Sequence, residues 1–275
     1  MTRKVIIGGC SFTKGSELSD DIDGKKPSKK SWAYQLYDQA SYPGHRYPET
    51  DLELVNTAFP GLGNEAIARR VFQAVIKNER NIEGVAVMWS FISRYDWAMP
   101  RHKALEDTRW VSISPWDTTT GNEEAFKTLA GSQVQQEQWR VKKELFLETG
   151  VKGFADALYR YAASQYHEVY LSWKSIIWLQ NILEKKGIPY MFTLADNSLF
   201  YDKFKNHKEN DTLLSAFWSE IDVGKWFIFG ERMMGFNQWS ILEGYDRGIT
   251  HPLDQAHQDA VKLMLPTFNK LIGGK

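Results

Sequence analysis

The first candidate for chemistry is a serine in a turn of small residues. Residues 4–9 form an apolar, β-branched run that predicts a buried parallel strand. The run ends in glycines and leads into the turn, residues 8–13, which read GGCSFT. Successive backbone N–H groups in such a turn point outward and can bind an anion. The segment lacks the lysine that ends a P-loop, and it does not match the GxGxxG fingerprint of dinucleotide sites. A nucleophilic Ser11 fits the turn if a base reaches it, and a plain turn without function is the alternative.

A second turn, built around glycine, follows the next predicted strand. Residues 56–64 read NTAFPGLGN, and Pro60 with Gly61 fixes the turn. Gly61 can present its backbone N–H with no side chain in the way, and Asn64 stands where a helix would be capped. The functional interpretation is that the Gly61 N–H serves as a hydrogen-bond donor at the end of the second strand. The alternative is a strand, a turn and an N-cap, which explains every residue without function.

A histidine near the C-terminus is the candidate base. His251 precedes Pro252, which disfavours α geometry for its predecessor and so holds the imidazole in an extended segment. Asp246 lies a few residues upstream, and the two resemble the base and its orienting acid in a triad. A rival pair, Asp254 and His257, matches D-x-x-H literally, yet Asp254 falls where the last helix should begin and suits its first turn. We therefore favour His251 over His257 as the base.

The apolar pattern predicts strands that alternate with helices. Strands are expected at 4–9, 52–56, 84–89, 188–194 and 225–229, and helices from Trp32, at 65–76, over 152–186 as one or two, and at 254–268. The first five elements run strand, helix, strand, helix, strand, which implies right-handed crossovers and a parallel sheet. Such a sheet places its reactive loops beyond the carboxyl ends of the strands, which directs attention to residues 8–13, 59–64 and 89–96.

Residues from about 95 to 150 interrupt this alternation. They hold four tryptophans, Trp97, Trp110, Trp116 and Trp139. We interpret them as an insertion over the carboxyl edge of the sheet, within a single domain that spans residues 1–275. The aromatic side chains supply either extra core, which we favour, or platforms for flat and sugar-like ligands.

The composition excludes several classes of protein. Lysine plus arginine and aspartate plus glutamate both total 34, so there is no overall basic field to attract nucleic acid or an anionic membrane. The single cysteine, Cys10, excludes an intrachain disulfide and a multi-cysteine metal site. The first apolar run is too short for a signal peptide, and no stretch approaches the roughly 18 apolar residues of a membrane helix. We expect a soluble, cytoplasmic protein that binds neither nucleic acid nor membrane.

Together these segments resemble the SGNH, or GDSL-like, hydrolase superfamily, in the family's order along the whole chain. Residues 9–12 (GCSF) look like the first block, G-D-S-L, in which the serine is the nucleophile. Residues 56–61 are similar to the second block, whose glycine N–H contributes to the oxyanion hole. Residues 246–252 look like the last block, D-x-x-H-P, except that the base lies five positions after the acid rather than three. The resemblance implies a three-layer α/β/α, flavodoxin-like fold with Ser11, His251 and Asp246 as the catalytic triad.

The family's third block, G-x-N-D, has no counterpart after the third predicted strand. Residues 88–94 read MWSFISR and contain no asparagine. In the family this asparagine donates a hydrogen bond to the oxyanion, and losing one such donor can cost about 10²–10³-fold in rate. We expect Asn64 or Ser90 to substitute, beside the backbone N–H groups of Ser11 and Gly61.

The leading hypothesis is a serine esterase that works through an acyl-enzyme on Ser11. The resemblance implies a small-molecule or glycan ester as substrate, such as an O-acetylated sugar, with Arg94 and Trp89 in contact with it. It implies no metal and no organic cofactor. The sequence does not indicate an oligomeric state.

Two other hypotheses stay open. The missing asparagine motivates a catalytically weak or inactive SGNH-like binding or structural protein, and the opening GCSFT is similar to divergent phage-encoded relatives. A serine-reactive fluorophosphonate would leave such a protein unlabelled at Ser11. The remaining hypothesis is a flavodoxin-like nucleotide or phosphate binder that uses the first turn as an anion site and is indifferent to His251.

Overall fold

A parallel sheet forms the centre of the computed structural model, which describes residues 2–41, 52–100, 110–200, 212–231 and 233–272. The strands are β1 (Arg3–Gly8), β2 (Leu52–Asn56), β3 (Ile82–Trp89), β4 (Tyr95–Ala98), β5 (Trp110–Ile113) and β6 (Tyr190–Leu194). Four of them form the central sheet in the order β2-β1-β3-β6, and each neighbouring pair is parallel. β4 and β5 pair antiparallel outside that sheet.

Ten α-helices lie in the described ranges and connect these strands. In chain order they are α1 (Ser11–Lys14), α2 (Trp32–Ser41), α3 (Asn64–Asn78), α4 (Thr119–Thr128), α5 (Gln133–Glu148), α6 (Val151–Tyr161), α7 (Gln165–Lys185), α8 (Thr212–Ser219), α9 (Phe236–Leu242) and α10 (Asp254–Leu271). The predicted apolar positions of α3, namely Ile67, Val71 and Val75, are all buried. α3 packs beside α7, and α2 packs beside α10.

The helices cover both faces of the sheet. A Cβ on Gly8, in β1, would overlap Val71, so α3 lies tightly against that face. Gly8 pairs with Val87 of β3, and Gly84 lies three residues before Val87, so Gly84 points to the opposite face. A Cβ on Gly84 would overlap Ile272, directly after α10. The predicted three-layer α/β/α arrangement around a parallel sheet is confirmed.

The fifth strand predicted at 225–229 is not formed. One turn of 3₁₀ helix, Val223–Lys225, takes up the start of the segment. Trp226 then makes a single isolated parallel bridge with Phe192 of β6. The aromatic run therefore packs at the edge of β6 instead of extending the sheet by a full strand.

The Trp-rich segment packs around a second, smaller core. It contains the β4–β5 pair, α4 and α5, and its buried apolar side chains are Tyr95, Val111, Ile113, Phe146, Val151, Ala155 and Leu158. The last three belong to α6, so this core continues beyond the expected boundary near residue 150. Trp116 and Trp139 are half-buried and meet edge to face, 6.0 Å between ring centroids, whereas Trp97 and Trp110 are exposed, so the favoured core role does not hold for Trp97 and Trp110.

A bilayer-spanning helix would need a long, apolar stretch. Among the helices of the described ranges, none combines the length and the apolarity needed to cross a membrane.

Candidate active site

Ser11 lies where β1 gives way to α1. β1 ends at Gly8, and Ser11 is the first residue of α1. A Cβ on Gly9 would overlap the side chain of Thr13, so a glycine is needed for the chain to turn this tightly. Because Ser11 is the first helical residue, its backbone N–H has no acceptor inside the helix. The turn therefore presents a hydroxyl and a backbone donor together at the carboxyl end of the strand.

The imidazole of His251 faces that hydroxyl. His251 Nε2 and Ser11 Oγ are 2.7 Å apart, which is a hydrogen-bonding distance. Both residues are buried, and the ring of Phe12 lies 4.7 Å from the imidazole, centroid to centroid. The structure thus brings together the predicted nucleophile and the predicted base, which are 240 positions apart in the chain.

The carboxylate of Glu17 lies on the other side of the imidazole. Glu17 Oε1 is 2.9 Å from His251 Nδ1. The hydroxyl of Thr250 donates to the same oxygen at 2.6 Å, and the N–H of Thr250 donates to Oε2 at 3.1 Å. Glu17 has a left-handed backbone with φ of 71°, a conformation that costs energy in a residue with a side chain and is found at constrained sites. Ser11, His251 and Glu17 form one continuous row of hydrogen bonds.

Glu17 is a buried but charged carboxylate. Burial would raise its pKa, but the hydrogen bond and the charge of His251, followed by hydrogen bonds from Gln135 and Thr250, outweigh burial and lower the pKa to about 2. An ionised carboxylate opposite Nδ1 favours the imidazole tautomer that carries its proton there. Nε2 is then free to accept the proton of the Ser11 hydroxyl.

The Trp-rich insertion reaches this row of hydrogen bonds through one side chain. Gln135, in the first turn of α5, donates from Nε2 to Glu17 Oε1 at 2.7 Å. One turn later, Gln138 Nε2 donates to the carbonyl of Asp23 at 3.1 Å, in the loop that also carries Glu17. Neither Glu17 nor Gln135 was predicted as a site residue. Six positions after the serine, in a polar loop, Glu17 has no pattern that marks it, and its left-handed backbone is visible only in the folded chain.

Asp246, the predicted orienting acid, does not face His251. Its side chain is exposed, and its backbone carbonyl accepts the N–H of Leu253 at 3.0 Å. Its neighbour Arg247 anchors the loop by donating to the carbonyl of Thr250 at 3.0 Å. The prediction for Asp246 is therefore corrected, because Glu17 occupies the position beside Nδ1.

His257, the rival base, lies elsewhere. It is fully buried in α10, and its Nδ1 accepts the backbone N–H of Trp32 at 3.0 Å, at the start of α2. Burial, followed by the charge of His251, lowers the pKa of His257 to about 3, so the ring stays neutral at neutral pH. His257 joins two helices and does not reach Ser11.

The second predicted loop lies beside the first. The N–H of Phe59 donates to the carbonyl of Gly9 at 3.3 Å. The N–H of Leu62 closes a turn onto the carbonyl of Phe59 at 3.4 Å, with Pro60 and Gly61 at its centre. Gly61 has φ of 80°, which a type II turn requires at its third position. The Gly61 N–H takes no part in the turn's own hydrogen bond.

Asn64 is not a free donor for an oxyanion. Its Oδ1 accepts the N–H of Ser90 at 2.7 Å. Its Nδ2 donates to the carbonyl of Ser90 at 3.1 Å and to the hydroxyl of Ser172, in α7, at 3.0 Å. Both amide protons are therefore used, and the residue is buried. The expectation that its side chain substitutes for the family's asparagine is corrected: Asn64 ties the end of β3 to α7.

Ser90 and Arg94 form a polar pair beside this tie. Ser90 lies three residues beyond Val87, and Ser11 lies three residues beyond Gly8, its partner in the neighbouring strand, so both serines stand at the same edge of the sheet. Arg94 donates to Ser90 Oγ at 2.9 Å, which leaves the hydroxyl proton of Ser90 for another acceptor. The guanidinium of Arg94 is partly buried.

Trp89 is a core residue. It is fully buried and packs edge to face against Phe192 of β6, with 5.2 Å between ring centroids. The predicted contact between Trp89 and a substrate is therefore corrected, because the side chain lies inside the sheet's hydrophobic layer.

The described ranges also hold no group of three or more His, Cys, Asp or Glu side chains suited to a metal ion.

Several solved structures are similar to the chain over nearly its whole length. TesA is 9% identical, with a TM-score of 0.48 and coverage of 98% of this chain and 99% of that one. The psychrotrophic esterase EstA from Pseudoalteromonas sp. is 10% identical, with a TM-score of 0.46 and coverage of 98% and 99%. A member of the lipolytic G-D-S-L family from Veillonella parvula is 10% identical, with a TM-score of 0.43 and coverage of 99% of both chains. No protein-family model matches the chain, and no curated protein matches it.

The lowered pKa of Glu17 predicts how stability depends on pH. A carboxyl whose pKa falls from 4.5 in the unfolded chain to about 2 in the folded one stabilises the protein above pH 4.5. That stabilisation is lost as the pH falls toward about 2. The difference in Tm between the wild type and Glu17→Gln should therefore be largest above pH 4.5 and shrink on acidification. Thermal melts across this range measure it.

Ser11→Ala is the matched control, because it leaves the bonds to Glu17 in place and should keep the wild-type dependence on pH. A Tm difference between the wild type and Glu17→Gln that does not change with pH would contradict a charged Glu17 in the folded state.

Proposed function

We propose that the protein is a serine ester hydrolase of the SGNH type that works through an acyl-enzyme. The observation that carries the proposal is the row formed by Ser11 Oγ, the two ring nitrogens of His251 and Glu17 Oε1, with distances of 2.7 and 2.9 Å. A nucleophile, a base and an orienting acid in hydrogen-bonding contact are what acyl transfer to a serine requires.

The first half-reaction forms the acyl-enzyme. His251 Nε2 takes the proton of Ser11 Oγ while that oxygen bonds to the ester carbonyl carbon, whose C=O electron pair moves onto the carbonyl oxygen. Glu17 stays ionised and stabilises the imidazolium through Nδ1–H. The tetrahedral adduct then expels the alkoxide, which takes the proton from Nε2 and leaves as an alcohol.

The second half-reaction returns the free enzyme. A water molecule gives its proton to His251 Nε2 and adds to the acyl carbon. The adduct breaks its bond to Ser11 Oγ, which recovers the proton, and the carboxylic acid departs. The residues of the row thus cycle through the same proton transfers twice, and no cofactor takes part in either step.

The proposed oxyanion hole differs from the family pattern in its third donor, because the family's asparagine is missing. The backbone N–H groups of Ser11 and Gly61 are the two proposed main-chain donors, and the hydroxyl of Ser90 is the third. Asn64 takes no direct part, since its amide protons bind Ser90 and Ser172. The Asn64 side chain instead fixes the position of Ser90.

The proposed substrate is a small-molecule or glycan ester with a short acyl group such as acetyl. Ser11 and His251 are both buried, so the space beside them suits a short acyl chain better than a long one. Arg94 is partly buried and donates to Ser90 Oγ at the same edge of the sheet, so it offers a cationic contact to a polar alcohol group such as that of a sugar.

Hydrolysis of p-nitrophenyl acetate should depend on both Ser11 and His251. Ser11→Ala removes the nucleophile and His251→Ala removes the base, and each should lower kcat/KM by about 10³-fold or more. A fluorophosphonate should label the wild type at Ser11 and leave Ser11→Ala unlabelled. Release of p-nitrophenolate and intact-protein mass spectrometry measure the two effects.

His257→Gln is the matched histidine control, and it should lower stability while retaining most of the activity of the folded protein. The esterase proposal would be rejected if the wild type, Ser11→Ala and His251→Ala hydrolysed the ester at the same background rate and the fluorophosphonate labelled none of them. The alternative, a non-catalytic SGNH-like binding protein, would then be preferred.

The identity of the orienting acid gives a separate prediction. Glu17→Gln should lower kcat by about 10²–10⁴-fold, because an amide neither stabilises the imidazolium nor enforces the tautomer with its proton on Nδ1. Asp246→Asn, at the exposed aspartate, should keep wild-type activity. Steady-state kinetics on p-nitrophenyl acetate compare the two variants, and the opposite ranking would restore Asp246 as the acid.

Gln135 is proposed as a positioning residue that acts through Glu17. Gln135→Leu removes one donor from the Glu17 carboxylate and should lower kcat/KM by about 3- to 30-fold. The carboxylate then holds the imidazolium more strongly, so the acidic limb of the pH profile of kcat/KM should move to higher pH.

Gln138→Leu is the matched control, because Gln138 lies one turn along α5 and binds a loop carbonyl instead of the carboxylate. A profile for Gln135→Leu that keeps the wild-type limb would show that Gln135 only supports the fold.

A further inference from the structure

A cavity lies on the side of the molecule where the insertion meets the sheet's helices. It has a volume of about 330 Å³ and is lined by residues of α3, α7, β4 and β5. None of Ser11, His251 and Glu17 lines it. The cavity is therefore separate from the row of catalytic hydrogen bonds, and its lining must be explained on its own.

Two half-exposed indoles form part of its lining. Trp110 of β5 is 43% exposed and Trp178 of α7 is 41% exposed. Indoles bury large areas when they serve as core, as Trp89 and Trp173 do in this chain. These two tryptophans come from different elements and are both open to solvent at one cavity. Their aromatic surface is therefore available to a bound molecule.

The polar part of the lining is organised before any ligand arrives. Arg69 of α3 binds Asp96 of β4 through two hydrogen bonds, 2.6 Å from Nε to Oδ2 and 3.0 Å from Nη2 to Oδ1. The guanidinium also lies 4.5 Å from the ring centroid of Trp110. This pair fixes the orientation of the indole and still leaves lone pairs and one guanidinium nitrogen for further hydrogen bonds.

The charges at the cavity cancel. Arg69 and Lys174 are cationic and Asp96 and Glu65 are anionic, all four in the lining. Burial is the main reason that the pKa of Glu65 is raised, so this carboxyl gains from any hydroxyl that approaches it. A balanced set of charges gives no net attraction to a phosphate, a sulfate or a free amine, but it supplies many donors and acceptors.

We propose that this cavity binds one neutral sugar unit of a glycan, at a site separate from the catalytic serine. A pyranose has a face of C–H groups, whose partial positive charge suits the negative face of an indole, and a rim of hydroxyls that both donate and accept. The indoles of Trp110 and Trp178 suit stacking against the C–H faces of the sugar. The Arg69–Asp96 pair and Glu65 suit hydrogen bonds to its hydroxyls. A volume of about 330 Å³ suits a monosaccharide unit.

The inference does not depend on the chemistry of Ser11. The test therefore uses the full-length Ser11→Ala protein, in which hydrolysis is removed and the cavity is unchanged. Methyl β-glucoside, methyl β-galactoside, methyl β-xyloside and N-acetylglucosamine are titrated at millimolar concentrations, with glucose 6-phosphate and adenosine as charged and planar comparisons. Saturation-transfer NMR and quenching of indole fluorescence report binding.

Saturable binding of at least one neutral sugar is expected, and Trp178→Ala and Glu65→Gln should each weaken it by about tenfold. Glu65→Gln keeps the size of the side chain, so it tests the site even if Trp178→Ala does not fold. Trp97→Ala is the matched control, because Trp97 is as exposed as Trp110 in the paired strand but packs on Phe154 outside the cavity.

Three results would overturn the proposal. The first is that no neutral sugar shows saturable binding, and the second is that binding survives both Trp178→Ala and Glu65→Gln. The third is that glucose 6-phosphate or adenosine binds more tightly than the neutral sugars. Because Ser11→Ala is the starting protein, failure of the esterase leaves this test intact, and failure here leaves the esterase intact.

Discussion

The buried carboxylate of Glu17 is the constraint around which the candidate site is assembled. An ionised carboxylate away from water is costly unless its oxygens are hydrogen-bonded, so its partners have to come together as the chain folds. Those partners come from two segments distant from the loop that carries Glu17: the Thr250–His251 segment before α10, and Gln135 of the insertion. The arrangement that satisfies the charge is the same one that places His251 Nε2 2.7 Å from Ser11 Oγ.

The sequence predicted those parts of the site that depend on local structure. Ser11 could be located because an apolar strand followed by glycine is a local pattern, and His251 because proline restricts the residue before it. Glu17 could not be located, since its contact with His251 joins positions 234 apart and depends on a left-handed backbone that no local pattern requires. Asp246 was favoured for its nearness in sequence, yet the loop turns its side chain outward and directs Arg247 inward.

A similar distinction explains the residues around the oxyanion. The parallel sheet, its two helical layers and the loops at its carboxyl edge follow from alternating apolar segments, and these were predictable. The partners of a single polar side chain were not. Asn64 has the donors that an oxyanion needs, but Ser90 and Ser172 claim both of them, and they lie on β3's end and on α7. Trp89 ends the same strand, and only the packing of Phe192 against it shows that it belongs to the core.

The insertion contacts the central domain at two places, the catalytic carboxylate and helix α3. Its small hydrophobic core is built from its own strands and helices together with α6. One edge of it sends Gln135 to the catalytic carboxylate, and another sends Asp96 and Trp110 to Arg69 of α3. Each contact pairs a charged group of the central domain with a polar or aromatic group of the insertion, and an unpaired charge at either place would cost more than the contact gains. The insertion is therefore held to the central domain at two places where a charged side chain needs a partner.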